Sequence, residues 1–142
     1  MKISGDIYAE ISNLYAFYNL CSDGGDAEGY ARCFTRDGVM DQVSRQLVIS
    51  GHEALVAYKR QDAASRGPRY RRHWNSGLYL RHENATSIRG ACYLFAYNGD
   101  PGQLPVTQAC GVYDDTIVLE EGEWKFSYRR LTMDARIDMP LP

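Results

Sequence analysis

Apolar positions in the first third of the chain recur at helical spacing. Ile7, Ile11, Leu14, Tyr15, Tyr18 and Leu20 fall near three-to-four spacing, which gives a helix one apolar face. Gly24-Gly25 ends that segment, since glycine is favoured just past a helix C-terminus. Asp26 is placed to cap a short second helix over 27–34, with Glu28 near its positive end. Thr35-Arg36-Asp37-Gly38 reads as a turn, and 39–43 with 46–49 as a short strand pair. Ser50-Gly51-His52-Glu53 has capping-box spacing and predicts a third helix over 51–64, broken by Gly67-Pro68. Beyond that break the period changes to that of strands, over 70–81, 87–97, 108–120 and 123–134. The connectors are 82–84, 98–105 and the Glu121-Gly122 turn. Helices followed by long antiparallel strands predict an α+β class. No repeat or linker divides 1–142, so a single domain is expected.

Composition narrows the function. The 142 residues suffice for one core, burying roughly two-thirds of the unfolded surface. A net charge of −2 gives no reason to expect nucleic acid or an anionic membrane as partner. Arg69, Arg71 and Arg72 form a local basic cluster, read here as a solvated strand edge or loop. The N-terminal residues lack an apolar signal core, and no run approaches the roughly 20 apolar residues of a membrane span, so a cytoplasmic location is expected. Cys21, Cys33, Cys92 and Cys110 are scattered without a CxxC pair, which favours reduced, mostly buried thiols over disulfides or zinc. No phosphate-binding glycine loop or nucleophile elbow is present. No cofactor or metal is therefore expected. The 11 tyrosines suit either a pocket for a partly apolar, oxygenated small molecule or a half-exposed sheet.

Two residues carry the candidate chemistry. Asp23 stands at the end of the first helix, where a carboxylate is electrostatically unfavourable and a compensating partner is expected. His73 opens the first long strand. If the two meet, the carboxylate fixes the imidazole tautomer and raises its basicity, making a general base. His52 and His82 read as a helix-start surface residue and a turn residue. Tyr18 is either core or a proton donor and substrate anchor. Arg129 and Arg130 are strand neighbours and point to opposite faces, so one of them is the candidate to enter a cavity. Met40, Tyr58, Trp74, Tyr93 and Tyr113 are candidate cavity walls, or simple core.

Three motifs, in order, carry a resemblance. Leu14-Tyr15, Asp23-Gly24-Gly25-Asp26, Tyr30 and Phe34-Thr35-Arg36-Asp37-Gly38-Val39 resemble the opening of the SnoaL-like branch of the nuclear-transport-factor-2-like superfamily. Ser50-Gly51-His52-Glu53-Ala54-Leu55 is similar to its usual helix start, and Gly122-Glu123-Trp124-Lys125-Phe126 to its last strand. The resemblance implies a cone-shaped, cystatin-like α+β barrel: a curved sheet wrapped on N-terminal helices around a deep cavity. Asp23 and His73 match the positions of the Asp-His dyad in the scytalone dehydratase-like, bile-acid 7α-dehydratase-like and lindane dehydrochlorinase-like members. Tyr18 matches a lysine of the dehydrochlorinase and a tyrosine of the bile-acid dehydratase, which argues against dehalogenation. Arg129 matches an active-site arginine of the dehydrochlorinase, and Arg136 lies nearer that of the dehydratase.

The resemblance thus implies a cofactor-independent lyase or isomerase, most specifically a dehydratase, with His73, Asp23, Tyr18 and Arg129 catalytic. A polyketide-type cyclase and a non-catalytic ligand-binding module of the same fold are the alternatives. A homodimer or homotrimer is expected, because a curved sheet has one face in the cavity and one free.

Overall fold

The computed structural model describes residues 2–137. Three helices, α1 (Gly5–Gly24), α2 (Ala27–Arg32) and α3 (His52–Arg66), pack against a curved sheet of six strands that does not close. The strands are β1 (Phe34–Gln42), β2 (Leu47–Ser50), β3 (Tyr70–Asn84), β4 (Ser87–Gly99), β5 (Val106–Glu120) and β6 (Glu123–Arg136). Their order is β2-β1-β6-β5-β4-β3, all neighbours antiparallel except the parallel β1–β6 pair. The fold is therefore the α+β cone that the sequence pattern and the resemblance predict.

Helix α1 buries Ile11, Tyr15, Tyr18 and Cys21, at successive spacings of four, three and three. Leu20, read from the sequence as part of this face, is 72% exposed, because it falls on the opposite side of the turn. Ser4 caps the start by accepting from the Ile7 N–H at 3.2 Å. Gly25 ends the helix in the left-handed region at φ 75°, where a side chain would be strained.

Three local expectations need correction. Helix α2, capped by Asp26 as expected, stops at Arg32, and the chain enters β1 at Phe34. Residues 35–38 are a register irregularity inside β1 rather than a free turn. The Ser50 box does not form: Gly51, at φ 88°, is the N-cap of α3 and no side chain bonds the cap. Glycine supplies the backbone angle there, so the serine lies one residue too early to cap.

Along β4 the burial alternates, with Ile88, Cys92, Leu94 and Ala96 inward and Tyr93 and Phe95 outward. Inner-face residues of β4, β5 and β6 meet α1 and α2 in one core, which includes Tyr15, Tyr18, Tyr30, Phe34, Tyr113 and Phe126. The cysteines are free, and all but Cys110 are buried. No helix among the described residues is long and apolar enough to cross a membrane.

Candidate active site

The C-terminal end of α1 meets the start of β3, and the spacings of the two elements match. Residues 19 and 23 are one helical turn apart, about 6 Å along the axis. Residues 73 and 75 share one face of a strand, about 6.6 Å apart. Two side-chain contacts therefore form side by side. Asn19 Nδ2 donates to Asn75 Oδ1 at 2.7 Å. Asp23 Oδ1 accepts from His73 Nδ1 at 2.5 Å, and its Oδ2 accepts from the His73 backbone N–H at 2.9 Å. An ionised carboxylate only accepts, so Nδ1 carries the hydrogen and Nε2 is the basic nitrogen. Both oxygens of Asp23 are used on one residue, which fixes the ring and its strand together.

The carboxylate at the negative end of α1 has further company. Arg66 Nη1 and Nη2 donate to the Asp23 and Ser22 carbonyls, each at 3.1 Å. A guanidinium on the last carbonyls of a helix offsets the charge that Asp23 adds there. Burial pushes the His73 imidazole below its ordinary value, while the Asp23 hydrogen bond and charge pull it upward. The sequence-based expectation of a net increase in basicity is thus half of the balance: Asp23 acts in that direction, and burial outweighs it.

His73 lines a cavity of about 250 Å³ inside the cone, bounded also by Tyr18, Met40, Tyr58 and Tyr113. That is somewhat below the roughly 300–1,000 Å³ usual for ligand pockets, and suits a small ligand. Met40, Tyr58 and Tyr113, which the sequence left open as cavity wall or simple core, are on this wall. Tyr18 O–H stands 3.3 Å from the Tyr30 hydroxyl and 3.8 Å from Met40 Sδ. Burial, and then neighbouring Tyr30, hold the Tyr18 hydroxyl well above its ordinary range, with Arg129 pulling the other way. Tyr18 is consequently a protonated donor at neutral pH.

Trp74 and Tyr93 do not line this cavity. They are 62% and 65% exposed on the outer face of the sheet. Strand alternation explains both: His73 points in, so Trp74 points out, and Tyr93 sits opposite Ser76 on that same outer side.

Arg129 does not line the cavity either. It is fully buried behind it, directly opposite Asp115 on β5, with Nε 3.4 Å from Oδ1. Its guanidinium lies over the rings of Tyr113, Tyr18, Phe126 and Tyr15, at 3.6, 4.1, 4.4 and 4.8 Å. Tyr15 O–H donates to the other Asp115 oxygen at 2.5 Å. Gly90 faces Asp115 on the other side, and a Cβ there would come within 2.5 Å of the Tyr15 hydroxyl. Burial pushes the Asp115 carboxyl up to about 6, with Arg129 and the Tyr15 hydrogen bond pulling down. Arg130 is half-exposed near Asp41, and it is Arg136 that reaches the cavity lining.

The cavity also holds residues that sequence reasoning did not select. Lys59 is only 4% exposed, with Nζ 2.9 Å from Ser22 Oγ, 3.2 Å from Asp62 and 4.5 Å from the Tyr30 ring centre. Burial lowers its pKa while Asp62 raises it. Helical spacing offered a signal, since Lys59 shares a face with Leu55 and Val56, but an isolated lysine in α3 reads as surface. Asn19, Tyr30, Asn75 and Asp115 were likewise missed; only their partners, 12 to 100 residues away, mark them. Among the described residues no group of three His, Cys, Asp or Glu side chains is arranged to hold a metal ion.

A family model described as a SnoaL-like domain matches residues 6–130. Solved structures share the fold. Rv3472(D26N), a protein of unknown function from Mycobacterium tuberculosis, is 28% identical with a TM-score of 0.80, over 89% of this chain and 71% of that one. A putative scytalone dehydratase from Novosphingobium aromaticivorans is 20% identical with a TM-score of 0.80, over 95% and 89%. A Catenulispora acidiphila structure in complex with S-DNPA is 23% identical with a TM-score of 0.82, over 92% and 96%. No curated protein sequence matches the chain.

Proposed function

Because the chain belongs to the SnoaL-like family, we propose that it is a cofactor-independent lyase or isomerase, most specifically a dehydratase, with His73 as its general base. The observation that supports this is the double engagement of His73 by Asp23, at ring and backbone, on a ring that lines the cavity. A histidine buried only for packing would also need a partner for its ring N–H; what supports the catalytic reading is that this paired ring lines the cavity. Burial keeps the imidazole neutral at pH 7, which is the form that accepts a proton.

In the step proposed, Nε2 takes a proton from carbon next to a carbonyl of the substrate. The C–H electron pair becomes the new C=C bond, and the β-hydroxyl departs with the proton returned by the imidazolium, leaving as water. Asp23 stabilises the imidazolium between these transfers. Tyr18, protonated and cavity-lining, donates a hydrogen bond to the carbonyl oxygen as it gains charge. Arg129 enters only through Tyr18, whose ring it underlies.

A panel of β-hydroxy ketones in D2O tests the reading. The expected outcome is loss of water with exchange at the α-carbon, slowed about 10²-fold or more by His73→Ala. Turnover unchanged in that variant would remove the dyad from the chemistry. Exposed Trp74, Tyr93 and Phe95 on the outer face support association of two or three copies, and light scattering at micromolar concentration decides it.

A further inference from the structure

The cavity lining is strongly basic, in a chain whose net charge is −2. Arg45, Lys59, Arg66, Arg69, Arg71 and Arg136 contribute to the wall, against one carboxylate there, Asp62. Asp62 is shared, meeting Lys59 at 3.2 Å and Arg71 at 3.2 and 3.5 Å. Arg69 meets Asp100 outside at 3.4 Å, Arg45 donates to Gln42 Oε1 at 3.0 Å, and Arg66 is engaged with the two helix-end carbonyls. With Arg69 and Arg136 set aside, the cations Arg45, Lys59, Arg66 and Arg71 still outnumber the carboxylates Asp62 and Asp23 around this space among the described residues. Gathering like charges at a partly desolvated wall costs free energy, and a neutral ligand would recover none of it. An anion would.

We infer that the ligand of this cavity carries an acidic group of the carboxylate class, held by the cationic wall with Arg71 as its anchor on the strand that carries His73. Arg71 and His73 are alternate residues of β3 that both line the cavity. An acidic group at Arg71 is therefore held about 6.6 Å along the strand from the base. Asn98 Oδ1 accepts from Arg71 Nε at 3.1 Å and Asp62 meets Nη1, so the guanidinium is already oriented. The inference rests on the dyad reading only for which end of the ligand faces His73; the anion site stands on its own charges.

The test uses 2-naphthoate and its methyl ester, with binding read from the His73 ring resonances of the full chain. Naphthoate is expected to bind about tenfold or more tightly than the ester, the size of one charge-assisted hydrogen bond. Its advantage should shrink as salt rises from about 0.05 to 0.5 M, since the cavity mouth is open to screening. Arg71→Gln should weaken naphthoate and leave the ester unchanged, and Arg71→Lys should restore part of the loss. Equal affinities, an ester preference, or no response of His73 to either probe at millimolar concentration overturns the inference. If Arg71→Gln does not fold, the acid–ester and salt comparisons on the unaltered protein decide alone. These outcomes are independent of turnover: a dyad that fails leaves the naphthoate preference in place, and a working dyad with equal affinities sinks only the anion site.

Discussion

Two carboxylates inside this cone each hold a basic side chain, and they do different work. Asp23 and His73 stand at the junction of α1 and β3, with the ring on the cavity and two hydrogen bonds between the residues. Asp115 and Arg129 stand opposite one another on β5 and β6, sealed beneath aromatic rings, in ion-pair contact without a hydrogen bond between them. The first pair has a basic nitrogen to spare for a ligand. The second spends its charge on the protein: Arg129 on ring faces, Asp115 on Tyr15. Buried charge is therefore no sign of chemistry by itself; access to the cavity is what separates the two.

The largest expected effect tests the sealed pair. Asp115→Asn leaves Arg129 buried without a counter-charge, and should cost about 3–5 kcal/mol. For a chain of this size that lowers the melting temperature by about 10–20 °C. Adding Arg129→Met should recover much of the loss, because replacing a whole buried pair is far milder than halving it. Calorimetry on the three variants measures this, and a single variant as stable as the parent would place the pair among the ornaments.

At the open pair the balance reverses. Asp23→Asn should reduce turnover about 10²-fold or more while melting shifts by only about 1–3 kcal/mol, the worth of its hydrogen bonds. The double variant with His73→Ala should be little slower than either single one, since the two act as a unit. Steady-state kinetics beside melting curves separates this from a merely structural role. Tyr18→Phe keeps the ring over Arg129 and removes only the donor, so a smaller loss of about tenfold is expected.

The pairs should also respond to pH in opposite senses. Folded, His73 takes its proton below its ordinary 6.5, so the unfolded chain binds more protons in that window. Stability from His73 is present above 6.5 and is lost as pH falls through the folded value. Asp115 takes its proton near 6 when folded and near 3.8 otherwise, so here the folded chain binds more. Its contribution is present below 3.8 and is lost as pH rises through about 6. Melting against pH for His73→Ala and Asp115→Asn, each set against the parent, should diverge in these directions. Activity should fall on the acid side with an apparent pKa below 6.5, and Asp23→Asn should move that limb lower.

Periodicity made the architecture legible. The helical stripe of Ile11, Tyr15 and Tyr18, the Asp26 cap, the Gly25 stop and the four long strands are local properties, set by neighbours two to four residues away. The dyad was legible through matched motifs, because Asp23 and His73 flank elements whose ends the sequence marks. The orientation of Trp74 and Tyr93 was not, since strand alternation says which residues share a face and not which face is inside. The same ambiguity covered Arg129 and Arg130: alternation left open which of the two points inward, and Arg129, which does, lies in the sealed core and not on the cavity.

The sequence by itself determined an α+β chain with a carboxylate at one helix end and a histidine at one strand start. Only the tertiary structure decided that these two touch, that Asp115 answers Arg129, and that Lys59 and Arg71 turn toward a common cavity. The physical reason is separation along the chain. Asp23 and His73 lie 50 residues apart and Tyr15 and Asp115 lie 100 apart, so each partner has no local signature of the other. Strand register and the way α1 crosses β3 bring them together, and those are set by the packing of the whole core.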